Sequence, residues 1–324
     1  MSGRDIKDQL VRYLTDAHSI EEQALAQLRS APDIAGEEHL GDVLRAHLLE
    51  TEAHERLVRE RLQALGEAPS RVKDAIMAVG GKGFVVFAWS QPDTPGKLAA
   101  HAYSYEHLEI AAYELLARVA RLADDTATAA MAERIRADEE RMAHRLEGIF
   151  DQTARASLGA LDAAAVQSRL VGYLADAHAI ERQSLGLLER AVDVAGAPEL
   201  EDAYRGHLEE SRGHLESLRR RLHALEARPS TVKDAAMRLA AVNWATFFAA
   251  HPDTPGKVAA FAYAFEHLEI GGYEQLARVA ELAGDADTKA LAETILAEER
   301  AAAATIAADW DSAARASLAA VNAV

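Results

Sequence analysis

The sequence predicts an all-α protein built as two tandem four-helix bundles, each with a long crossover between its second and third helices. Three observations carry this. The 324 residues are rich in Ala, Leu, Glu and Arg, with only 6% aromatic residues and few glycines and prolines, a composition that favours helix. The chain repeats itself at a constant offset without a gap, His18 on His178, Glu50 on Glu210 and Asp93 to Lys97 on Asp253 to Lys257, giving one repeat over 1–160 and another over 161–324. Apolar residues recur at helical spacing through both repeats.

The first helix is expected over Asp5 to Ser30, with Ile6, Leu10, Tyr13, Leu14, Ala17, Ala24 and Leu28 on one face. Glu21 lies on that face and recurs as Glu181, whereas its neighbour Glu22 becomes Arg182. After a loop at Pro32 and Gly36 comes a second helix, Glu37 to Leu65, with a core stripe of Leu40, Leu44, Leu48, Thr51, Val58, Leu62 and Leu65. His47 and His54 flank that stripe, and Glu50 sits nearer its margin; all three recur, as His207, His214 and Glu210. Glu52 becomes Arg212 and reads as solvated.

The connection from Gly66 to Gly96 carries short amphipathic pieces, Val72 to Val79 and Phe84 to Trp89, and ends in P-D-T-P-G, where Thr94 suits a helix cap and Pro95 a first turn. It is long enough for the second and third helices to run parallel. The third helix, Pro95 to Leu122, places Glu109 at the centre of an apolar stripe of Leu98, Ala102, Tyr105, Ala112, Tyr113, Leu116 and Ala120, with Glu106 at its edge. The fourth runs to Phe150 with Met131, Ile135, Met142, Leu146 and Ile149 inward and Glu139 among them. Glu139 recurs as Glu299, while Glu140 and His144 become Arg300 and Ala304 and read as surface. The segment from Asp151 to Ala165 joins the repeats, and with no Gly/Ser-rich or Pro-rich tether the two are expected to pack as an internal pseudo-dimer; further oligomerisation stays open.

A net charge of -17 argues against nucleic acid or an anionic membrane as partner. The absence of cysteine excludes disulfides, thiolate ligands and a cysteine nucleophile. No apolar run approaches the roughly 18 residues of a membrane span, and M-S-G-R-D-I-K-D lacks the apolar core of a signal peptide, so a cytoplasmic location is expected.

Each repeat thus turns Glu21, Glu50, Glu106, Glu109 and Glu139, with His54 and His47, toward one layer; the second repeat offers Glu181, Glu210, Glu266, Glu269, Glu299 and His214. Buried ionised carboxylates without a partner cost several kcal/mol each, and no Lys or Arg falls in that layer, Arg61 and Arg221 being the nearest, about two turns past His54 and His214. Two divalent cations per repeat at most, iron or manganese, offset the repulsion, with carboxylates bridging and imidazole terminal. His47 and His18 read as hydrogen-bond partners behind the ligands, and Tyr113 and Tyr273 as donors to a carboxylate. His107 and His267 read as a contact between the repeats, and Trp89, Trp244 and Trp310 as packing.

The segments E-H-L-E-I-A-A-Y, H-L-L-E-T-E-A-H and A-D-E-E-R resemble the ferritin-like superfamily, and within it the YciE/YciF-like domain-of-unknown-function family of bacterial stress proteins. The resemblance spans nearly all of both repeats. It implies a rubrerythrin-like four-helix bundle with a di-metal site and no firmly assigned reaction; the reaction class consistent with it is oxidation of ferrous iron or reduction of oxygen or peroxide. The general ferritin-like scheme takes one Glu from each of two helices and Glu-x-x-His from the other two. Glu21 and Glu109 match. Thr51 stands three before His54, so the second-helix carboxylate falls to Glu50, four before. Met142 and Ala302 stand where the fourth helix should carry its histidine, and Glu106 is the residue left to fill that vacancy. Two metals with altered ligation, one metal or none remain open, and the reading from a different class is a metal-free structural or interaction module on the same bundles.

Overall fold

The computed structural model describes residues 3–70, 93–229 and 254–322, and these divide into two compact units, Met1–Ser157 and Leu158–Val324. In the first unit the long helices are α1 (Gly3–Leu28), α3 (Glu38–Ala64), α4 (Thr94–Leu122) and α5 (Thr126–Gly148), with short α2 (Ala31–Ile34) and α6 (Phe150–Leu158) at turns. The second unit follows the same order with α7 (Ala163–Val194), α8 (Pro198–Ala224), α9 (Thr254–Leu282), α10 (Ala286–Ala308) and α11 (Trp310–Asn322). The fold is all-α, two bundles in tandem, and among the described residues no helix is long and apolar enough to cross a membrane.

In the first unit α1 packs on α3 and α4, α4 on α5, and α5 on α3, so four helices close a ring around one core. The core is filled where the periodicity placed it, by Leu14, Leu40, Leu44, Leu62, Leu116, Ile135, Met142 and Leu146. In the second unit α7, α8, α10 and α9 close the same ring.

Helix starts are fixed by side chains that take up the free N–H groups of the first turn. The Glu37 carboxylate accepts from the amides of His39 (3.0 Å) and Leu40 (2.6 Å). Asp125 and Asp285 accept from Thr128 and Thr288, each at 3.0 Å. Thr94, expected as a cap, lies inside α4. The Gly96 amide donates instead to Ser157 Oγ (2.8 Å), and that of Gly256 to Ser317 Oγ (2.6 Å). The repeated A-R-A-S-L segment therefore caps the third long helix of its own unit. Much of the joining segment is helical too, as its run of helix formers favours, leaving only 159–162 between α6 and α7.

Gly36, just before α3, lies against Pro95 in the first turn of α4, so these helices start at the same end of the bundle and run parallel. The amphipathic pieces expected at Val72 to Val79 and Phe84 to Trp89, and Trp244, lie outside the described residues. Gly36 and Gly196 both have φ +68, and a Cβ would stand 3.1 Å from Pro95 Cγ in the first case and 2.9 Å from Pro255 Cγ in the second. Gly66 has φ +81 with nothing within 4 Å. Gly66→Ala is therefore expected to cost only the left-handed strain, about 1–2 kcal/mol. Gly196→Ala carries in addition an overpacking cost of about 1–3 kcal/mol. Thermal denaturation of the two variants should rank them in that order, with Gly36→Ala between.

Candidate metal centre

The four helices bring Glu21 from α1, His47 and His54 from α3, Glu106 and Glu109 from α4, and Glu139 from α5 into one buried layer; Glu21, Glu109 and Glu139 are wholly inaccessible. Ligand atoms of His47, Glu106, Glu109 and Glu139 lie within 4.8 Å of one another, and so do those of Glu21, His54 and Glu139. Glu139 belongs to both groups. Its Oε2 is 3.5 Å from His47 Nε2 and its Oε1 is 2.8 Å from His54 Nδ1, so the layer is two adjoining pockets sharing one carboxylate. Glu106 Oε2 completes the first pocket at 3.2 Å from His47 Nε2, and Glu21 Oε1 the second at 4.0 Å from His54 Nδ1.

The second unit repeats this. Glu299 Oε2 is 3.2 Å from His207 Nε2 and its Oε1 is 3.0 Å from His214 Nδ1. Glu266 Oε2 stands 2.8 Å from His207 Nε2 and Glu181 Oε1 3.1 Å from His214 Nδ1, with Glu269 grouped beside His207.

Each histidine turns one nitrogen inward while a carboxylate outside the layer holds the other. His47 Nδ1 is 3.2 Å from Glu50 Oε2, and His54 Nε2 is 3.2 Å from Asp138 Oδ2. The matching pairs are His207 with Glu210 at 3.1 Å and His214 with Glu298 at 2.7 Å. Such an outer carboxylate fixes ring orientation and raises the basicity of the inward nitrogen. Tyr113 donates to Glu21 Oε1, and Tyr273 to Glu181 Oε1 at 2.6 Å, as expected of these tyrosines.

Glu50 differs from its sequence-based place among the ligands. It stands at the rim with 37% of its side chain exposed, behind His47, and its Oε1 takes Arg145 at 3.0 Å. Glu210 is 52% exposed in the same position. His47, expected behind the ligands, is the residue whose Nε2 faces the layer, so α3 contributes two inward imidazoles seven residues apart and no inward carboxylate. Asp138 and Glu298 escaped the sequence reading, though both copies carry an acid just before the central glutamate of α5 and α10. His107 is buried, its Nδ1 donating to the Tyr103 carbonyl at 2.7 Å and its ring 4.4 Å from the Tyr103 ring. Trp310 does pack, edge-on to Tyr263 with ring centroids 5.3 Å apart, while His144 and Glu140 stand at the surface.

Arg61 reaches away from the layer to Thr128 Oγ1 (2.7 Å) and Asp125 (2.5 Å), and Arg221 does the same with Thr288 and Asp285. Among the described residues no Lys or Arg pairs with Glu21, Glu106, Glu109 or Glu139. Both oxygens of Glu109 and Oε2 of Glu21 accept no hydrogen bond, and Glu106 Oε2 and the Glu139 oxygens have the imidazoles of His47 and His54 as their neighbours. Burial raises Glu21 to about 8, the neighbouring Glu139 adding to the rise against His54. Burial likewise lifts Glu106 to about 7 against the pull of His47, and drives Glu109 well above the carboxylate range. Burial opposes charge on His47 and His54, yet Glu106 and Glu139 respectively carry both upward. In the second unit burial raises Glu266 to about 8, whereas the hydrogen bonds from His207 and His214 overcome burial at Glu299 and hold it at about 2.

A third grouping, His18, Glu22 and Glu55, occurs in the first unit. It has its own cation, Arg59, 2.9 Å from Glu55 Oε1, and the second unit carries Arg182 and Leu215 in place of its acids.

A family model described as "Domain of unknown function (DUF892)" matches residues 5–159 and again 166–319. No solved structure matches the chain.

Proposed function

The chain belongs to the DUF892 family of domains of unknown function, as two tandem copies, and on the make-up of its two buried layers we propose that it is a ferritin-like metal-binding protein with a two-cation centre in each unit. The observation that carries the reading is the set of buried inward oxygens on Glu21, Glu106, Glu109 and Glu139, with no Lys or Arg paired to them among the described residues, facing two imidazoles whose other nitrogens are held from behind. Four ionised carboxylates carry the charge that two divalent cations neutralise, and oxygen with imidazole donors suit iron or manganese.

In this reading Glu139 is shared, Glu106, Glu109 and His47 serve one position, and Glu21 and His54 the other. Glu50, Asp138 and Tyr113 orient His47, His54 and Glu21. The second unit uses Glu299, then Glu266, Glu269 and His207, then Glu181 and His214, with Glu210 behind His207. A redox-active pair bound here supplies one-electron chemistry, and the reaction class that fits is oxidation of ferrous iron or reduction of oxygen or peroxide in a stress response. The protein's own part is to exclude water, hold the carboxylates together in one layer, and give up the protons that Glu21, Glu106 and Glu109 carry.

The last point has a direct test. With Glu21 near 8 and Glu109 well above its usual range, the metal-free layer holds protons at about pH 7 that a cation displaces. Titrating Mn²⁺ into chelator-treated protein in weak buffer is expected to acidify the solution in step with uptake, and elemental analysis after gel filtration to find metal retained by both units. No retained metal and no proton release would leave the second reading, a metal-free module. The His54–Glu139 and His207–Glu266 pairs, both at 2.8 Å, favour that reading because they part-compensate the charge from within the protein.

A further inference from the structure

Beside the first centre lies a cavity of about 20 Å³ lined by Ala24, Leu28, Ala31, Leu44, Leu98, Ala102 and Tyr105, with Gln27 and His101 among them and Glu106 at its inner end. One water needs about 10–15 Å³, so this space takes one or two heavy atoms. Glu106, buried and with its Oε2 3.2 Å from His47 Nε2, belongs to the centre as well, so the cavity abuts it directly. His101 and Ala102 are partly exposed and mark the outer end. His101 Nε2 lies 3.1 Å from Gln27 Oε1, and burial among apolar neighbours pushes the ring down to about 3, so it is uncharged at neutral pH. Mostly apolar walls, two neutral polar groups and a carboxylate at the floor disfavour anions and give a cation too few oxygens. They suit a small neutral molecule.

The repeat makes this more than a packing gap, because the lining changes where the centre does not. Leu44 becomes Tyr204, which is fully buried, Ala24 becomes Ser184, His101 becomes Phe261 and Gln27 becomes Leu187; only Leu98 to Val258 and Tyr105 to Phe265 give back space. Four glutamates and two histidines of the centre are identical in both copies. Ser184 Oγ also donates to Glu269 Oε2 at 3.2 Å, where the first unit has Ala24 and leaves both Glu109 oxygens partnerless.

We propose that the cavity beside Glu106 admits a neutral molecule of two heavy atoms, dioxygen or hydrogen peroxide, to the first centre, and that the second unit is closed to it by Tyr204, Phe261 and Leu187. The two repeats then divide their work, one centre meeting the oxidant and the other shielded from it. This division rests on the metal-centre reading for its purpose, but access through the cavity does not need metal to be measured.

The test uses the metal-free full chain with labelled methyl groups under dissolved dioxygen, whose paramagnetism speeds relaxation of nuclei it touches. Enhancement is expected to be several-fold larger at Ala31 and Ala102 than at Ala191 and Ala262. It should fall to the level of the second unit in Leu44→Tyr and in the double variant Gln27→Leu/His101→Phe, each of which installs what the second unit already carries. In a parallel arm hydrogen peroxide is titrated in the dark; selective shifts of the Gln27 side-chain amide and the Ala102 methyl identify peroxide as an occupant, and a response to dioxygen alone identifies dioxygen. Equal enhancement in the two units, persistence in a folded Leu44→Tyr or double variant, or no response to either molecule overturns the proposal. Because no metal is present, these results stand apart from failure of the metal reading, which metal retention reports.

Discussion

Chelator-treated protein is expected to melt many degrees higher after addition of Mn²⁺ or, anaerobically, Fe²⁺, and to lose that gain on re-addition of chelator. A cation bound only by the native state stabilises it by about 2.7 kcal/mol at a hundred times its dissociation constant. One kcal/mol is worth roughly 2–4 °C in a unit of this size, so a single occupied position per unit shifts melting by about 5–10 °C. The pH dependence should invert between the two forms. Without metal, Glu21 at about 8 and Glu106 at about 7 lie above their value of 4.5 in an unfolded chain, so the stability they confer is complete below about pH 4.5 and is lost as pH rises through 7 to 8. His214, raised from 6.5 to about 10 by Glu181 and Glu299 against the opposing effect of burial, contributes in the same sense and loses its share between those values. Glu50 is held at about 2 by His47 and then Arg145, in spite of its partial burial, so its contribution is present above about 4.5 and is lost as pH falls toward 2. The metal-free protein is therefore most stable in mild acid. With metal, protons compete with cations for the same oxygens, so the stabilisation by metal grows from about pH 5 to pH 8. Thermal melts across that range, with and without Mn²⁺, check both slopes.

Glu139→Gln is expected to abolish metal retention by the first unit, and Glu299→Gln by the second, each halving the metal content of the chain. The amide keeps the shape but removes the charge shared by both pockets, and leaves an N–H₂ group facing Glu109 and Glu106. Loss of an outer partner is expected to cost metal affinity roughly 10–100-fold, as removal of a group that only orients a ligand does. Glu50→Gln, whose side chain lies behind His47, belongs to this milder class. Isothermal titration of Mn²⁺ into the variants separates the two magnitudes. Circular dichroism of metal-free Glu139→Gln separates loss of binding from loss of folding, since the substitution removes both a repelling carboxylate and the partner of His54 at 2.8 Å.

Much of this was legible in the sequence because helical periodicity and an internal repeat are local signals. The apolar stripe placed Glu21, Glu109 and Glu139 inside, and comparison of the copies set aside Glu22, Glu52, Glu140 and His144. The exchange of places between Glu50 and His47, one at the rim and the other facing the layer, was not legible, because it is decided by other helices. A glutamate at the margin of a stripe can turn inward or outward; here Glu106 and Glu139 meet the His47 ring, as Glu266 and Glu299 meet His207, and Glu50 and Glu210 stand behind those rings, in the second unit without any arginine at the position of Arg145. Position along α3 says nothing of the carboxylates that α4 and α5 bring to its histidines. The purpose of A-R-A-S-L was hidden for the same reason: Ser157 caps α4 only once α6 has folded back on its start. Arg61 could be seen as the nearest basic residue, but its capture by Asp125 and Thr128 depends on where α5 begins beside the end of α3.

Anomalous diffraction from crystals soaked in Mn²⁺ tests the central claim most directly. The expected result is density in each unit between His47, Glu106, Glu109 and Glu139, and between His207, Glu266, Glu269 and Glu299, with a neighbouring peak across the shared Glu139 or Glu299 toward His54 or His214. Manganese found only at surface carboxylates, with the inward glutamates paired to histidines and to one another, would contradict it.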